Sequence, residues 1–101
     1  MPLEDRYSGD AAWNRFYNVA VNNSLSGDVL DETKIPEVGS LSKDSRGILA
    51  VAVAYYGIAR TRRWLSLNLP ELEGKTPQEC ISTDDIRFRN RIREHLMRLP
   101  A

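Results

Sequence analysis

Ser45 to Leu67 reads SRGILAVAVAYYGIARTRRWLSL and contains the longest apolar run of the chain. Gly47 to Ala59 is thirteen residues without a formal charge, followed at once by Arg60, Arg62 and Arg63, with Trp64 and Leu65 behind them. Such a run belongs in an interior, because apolar surface gains roughly 25 cal/mol per Å² on leaving water. It is too short to span a bilayer, which needs about 20 residues. Leu49, Val51, Val53 and Tyr55 alternate with Ala50, Ala52 and Ala54, the period of a strand. Alanine is itself apolar, however, so the alternation separates large from small and not inside from outside. Length, alanine content and a basic last turn opposing the negative end of the helix dipole favour one central helix. Ser42 or Ser45 is placed to cap it, with Asp44 nearby.

The other segments are read outward from that element. A chain of 101 residues is one domain with a modest core. After Asp10, taken as an N-cap, Trp13, Phe16, Tyr17 and Ala20 form an amphipathic stripe that ends at Asn22, Asn23 and Ser24. These aromatics are expected to dock on the central helix. Ser26 to Ser40 is punctuated by Gly27, Pro36 and Gly39 and permits at most a short helical turn at Asp28 to Thr33. Asn68-Leu69-Pro70 stops the central helix, since the residue before proline avoids the α region. Thr76-Pro77-Gln78-Glu79 combines a cap, a proline preset for the first helical position and the acid of a capping box, opening a short helix to about Ile81. Ser82 or Thr83 starts a final helix, with Asp84 and Asp85 in its positive first turn. Phe88, Ile92, Leu96 and Leu99 lie on one side of that helix, and Arg87, Arg89, Arg91, Arg93 and Arg98 occupy its outer faces. The expectation is an all-α bundle of about four to five helices around one central apolar helix. Residues 1–41 supply an N-terminal helix and an acidic loop packed on the core, and residues 42–101 form the larger module.

Charge is zero overall but unevenly spread: residues 1–41 carry a net −4 and residues 42–101 a net +4, with eleven arginines among the fourteen bases. Arginine suits bidentate contacts with carboxylates and phosphates. The single cysteine, Cys80, excludes an intramolecular disulfide and a cysteine-based metal cage. A polar, acidic N-terminus without an apolar stretch is unlike a secretory signal, so a cytoplasmic protein without membrane association is expected. The one histidine, His95, is read as a surface residue with no acid partner or nucleophile placed by sequence. Gly74-Lys75-Thr76 lacks the upstream glycines of a phosphate loop. No enzymatic activity, no cofactor and no metal are expected.

The order Arg63-Trp64-Leu65, Asn68, Pro70, Leu72, Gly74-Lys75-Thr76-Pro77, Glu79, Ile81 and Thr83 resembles the toxin-binding domain of bacterial antitoxins of the Xre/MbcA/ParS type. The resemblance covers about residues 50 to 99 and is sharpest from Trp64 to Thr83. It implies an all-helical, homodimeric module that neutralises a cognate protein toxin, usually one that consumes NAD or transfers ADP-ribose. Full members often carry a helix-turn-helix that binds their own promoter; residues 1–41 are too short and too acidic for one, so promoter binding of that kind is not expected. The usual glycine early in the last helix is replaced by the run Asp85 to Arg89. On this basis Trp64, Leu65, Leu72, Gly74 and Pro77 are scaffold, and Arg91, Arg98, Leu99, Pro100 and Ala101 are the surface that meets the partner. Two other readings remain open: nucleic-acid binding through the arginine-rich last helix, and a homodimeric scaffold without a toxin.

Overall fold

Ser42 caps the apolar run: its hydroxyl accepts from the Ser45 amide at 3.2 Å and the chain turns into helix at Lys43. The computed structural model describes residues 8–35, 41–83 and 85–98. Among them are five α-helices and one 3-10 turn, with no strand: α1 Asp10–Asn23, α2 Lys43–Tyr56, α3 Ile58–Trp64, the turn Pro70–Leu72, α4 Pro77–Ser82 and α5 Ile86–Met97. The alternation of large and small residues is therefore helical. Ile48, Leu49, Val51, Ala52 and Val53 are all buried, because α2 packs against the other four helices and has little outside face. Ser45 is buried too, and its hydroxyl donates to the Ile81 carbonyl at the end of α4.

One central helix from Ser45 to Leu67 is not what forms. The chain breaks at Gly57, which has φ 82° and ψ 166°, a backbone region essentially reserved for glycine. The cause lies some thirty residues upstream. The Ser26 amide and hydroxyl donate to the carbonyls of Ala54 and Val53, at 2.8 and 2.7 Å, closing the end of α2. The Asp28 carboxylate accepts from the Ile58 amide at 2.9 Å, opening α3. The loop after α1 thus satisfies helix-end groups on both sides of the corner, groups that otherwise lack partners. Arg60, Arg62 and Arg63 consequently belong to α3 and do not end α2.

The stripe on α1 packs as its spacing requires. Trp13 and Ala20 are buried, Phe16 stacks on Tyr55 of α2 with centroids 5.7 Å apart, and Tyr17 lies against Gly47. Gly9, not Asp10, precedes this helix, and no side chain caps it. The capping box of α4 is complete: Thr76 accepts from the Glu79 amide at 3.1 Å while the Glu79 carboxylate accepts from the Thr76 amide at 3.2 Å. Asp85 caps α5, accepting from the Arg87 amide at 3.0 Å, whereas Thr83 ends α4 in extended backbone. The Arg87 guanidinium on the same carboxylate lowers the Asp85 pKa to about 2. Ile92 and Leu96 of α5 reach the core, with Phe88 half-buried beside them. Pro36, Gly39, Asp84 and Leu99 lie outside the described residues.

Candidate protein-docking site

Residues 64 to 78 form a tightly wound connection between α3 and α4. The Leu69 carbonyl accepts from both Leu72 and Gly74, at 3.0 and 3.1 Å, and the Leu69 amide donates to Lys75 at 3.2 Å. The Asn68 side-chain amide donates to the Gly74 carbonyl at 2.6 Å, and the Gln78 amide to the Leu65 carbonyl at 3.1 Å. Glu73 and Gly74 both take positive φ, 58° and 80°, which lets the chain reverse in so few residues. Trp64, Leu65, Leu72 and Pro77 all face inward and are buried. The five residues of the motif are thereby brought into one unit.

The turn also holds α5. Glu71 and Glu73 flank the buried Leu72 and are both exposed. The His95 Nδ1 lies 2.7 Å from the Glu71 carboxylate, and the Arg91 guanidinium lies 3.0 Å from that of Glu73. His95 stacks on Trp64 with centroids 6.2 Å apart, and Arg91 and Lys75 both lie over the Phe88 ring. Arg91 and His95 are one helical turn apart, so they share a face, and the two glutamates meet them in register. Burial raises the pKa of Tyr56, which packs on Trp64 at 5.6 Å.

These contacts correct three placements. His95 is not a surface residue; only 16% of its side chain is exposed. Arg91 is not on an outer face, since its side chain is 9% exposed and lies against the turn. Arg93 is likewise interior: it donates to Asn90, lies over Trp13 and has Asp44 at 3.8 Å. Arg89 donates to the Thr83 carbonyl and Arg87 pairs with Asp85. Of the five arginines, Arg98 alone is exposed with no side-chain hydrogen bond, ion pair or ring contact among the described residues, one position past the last turn of α5. Leu99, Pro100 and Ala101 lie outside the described residues. The glutamates were legible as a pair of acids two apart around a leucine, but nothing in the sequence indicated which bases they face.

His95 is met by the Glu71 carboxylate and the Trp64 indole. Cys80 is buried, and burial pushes its thiol up to about 11, leaving no thiolate at neutral pH. Among the described residues no three His, Cys, Asp or Glu side chains are grouped to hold a metal ion, and no helix is long and apolar enough to cross a membrane. An open cleft of about 810 Å³ runs between α1, α2 and α5, past Trp13, Tyr17 and Arg93, away from the Trp64–Pro77 unit. No family model, curated protein or solved structure matches the chain. The likeness to the antitoxin domain therefore rests on the residues of the motif themselves.

Proposed function

We propose that this protein is an antitoxin-like binding module that docks on a cognate toxin, of the NAD-consuming or ADP-ribosylating kind, and blocks its active site. The observation that carries the reading is the Trp64–Pro77 unit. The motif that resembles the toxin-binding domain folds as one hydrogen-bonded turn, and two acid–base pairs fasten it to α5. A rigid support of that kind limits the ordering cost on binding, which raises affinity. The docking surface is then the end of α5 with Arg98 and the residues that follow, in an assembly that is homodimeric as in the family the motif resembles. Nucleic-acid binding through α5 has less support, because the side chains of Arg87, Arg89, Arg91 and Arg93 are engaged within the chain.

Co-expression with the protein encoded by the adjacent gene tests the proposal. The full chain restores growth arrested by that protein, and a chain ending at Met97 does not, while keeping the circular dichroism of the full chain. The cut spares Leu96, which is buried, so loss of protection reports the surface and not the fold. Protection by the shortened chain would remove the docking surface proposed here. Failure of the full chain to protect would remove the antitoxin reading.

A further inference from the structure

Three exposed arginines lie on α3. Arg62 and Arg63 are exposed and have no ion pair among the described residues, whereas Arg60 lies over the Tyr56 ring. Ala59, Arg62, Arg63 and Ser66 follow the spacing of one helix face. Together with Leu65 and the Gln78 side chain they line a recess of about 530 Å³. Leu67, half-exposed, stands one residue beyond. The recess therefore combines two guanidinium groups, a side-chain amide and an apolar floor.

We propose that this face of α3 binds an acidic segment of another protein, with carboxylates on Arg62 and Arg63 and a small apolar side chain over Leu65. The guanidinium fork matches a carboxylate bidentately, and such charge-assisted pairs are about twice as strong as neutral ones. The apolar floor and Gln78 add contacts that a bare phosphate would not use. A nucleic-acid duplex fits less well, since its charge extends along its whole length. The inference does not rest on the antitoxin reading, which places its surface at the end of α5.

Fluorescence anisotropy of a labelled peptide with alternating Glu and Ala, titrated with the full chain at low salt, tests it. The expected result is saturable binding that weakens about tenfold or more in R62E/R63E, the loss of one charge-assisted pair or more. R15E/K43E, which changes net charge equally at exposed sites that line neither recess beside Arg62, should bind as the parent does. Equal loss in both variants would reduce the effect to net charge and overturn the proposal. So would absence of peptide binding, or tighter binding of a DNA duplex of equal charge. Sedimentation of the free chain shifted by R62E/R63E alone would assign the face to self-association and overturn it as well.

Discussion

Leu72→Ala is expected to lower the unfolding free energy by about 3 kcal/mol, within the range for emptying a fully buried leucine site. Leu72 is fully buried under the 3-10 turn, and the turn has no other core side chain of its own. Two costs therefore combine. The apolar contact is lost and a void is left, because the surrounding helices relax only partly. The turn also loses the anchor that sets Glu71 and Glu73 opposite His95 and Arg91. Those pairs add little by themselves: both glutamates are well exposed, and exposed ion pairs are worth about 0–1 kcal/mol. Equilibrium urea unfolding followed by tryptophan fluorescence measures the loss. Trp64 reports on the same region, since it stacks on His95. A cost below about 1 kcal/mol, far under the range for a closed core site, would show that the turn is not held from inside.

Gly57→Ala is expected to cost about 2–3 kcal/mol, the strain of holding a side chain in a backbone region essentially restricted to glycine. The added Cβ would also lie 3.1 Å from the Asp28 carboxylate oxygen. The chain has one route of escape, a straight helix running through residue 57. That route separates the Ile58 amide from Asp28 and moves α3 off the core, where Thr61 and Trp64 are buried. Thermal unfolding by circular dichroism, beside an Asp28→Ala variant, separates the contributions. Removing the Asp28 cap alone should cost about 1 kcal/mol, as for other helix caps. A Gly57→Ala protein as stable as the parent would mean that the corner is a preference and not a constraint.

The corner also shows where sequence reading stops. The α1 stripe, the capping box at Thr76 and the core positions Ile92 and Leu96 are local patterns with a period, and each formed as read. Gly57 sits inside an apolar run with no proline or polar cluster beside it. Its reason for breaking is Ser26 and Asp28, whose hydrogen bonds bridge about thirty residues of sequence. Arg91, Arg93 and His95 were misplaced for a related reason. By polarity they belong outside, but they border the apolar stripe, and long side chains can lie along apolar surface while their heads find partners. Those partners, Glu73, Asp44 and Glu71, come from other elements, and no spacing within α5 indicates them. Of the candidate surface, the support was legible in the motif. That Arg98 stays exposed on the last helix, while Arg91 and Arg93 do not, emerged only from their partners.

Amide hydrogen exchange of the chain, alone and in complex with the proposed partner toxin, bears most directly on the central claim. With α5 held by the Trp64–Pro77 turn and its end engaging the partner, complex formation slows exchange in the last turn of α5 and in the residues after Arg98. Slowed exchange on the outer side of α1, with the C-terminal residues exchanging as in the free chain, would contradict it.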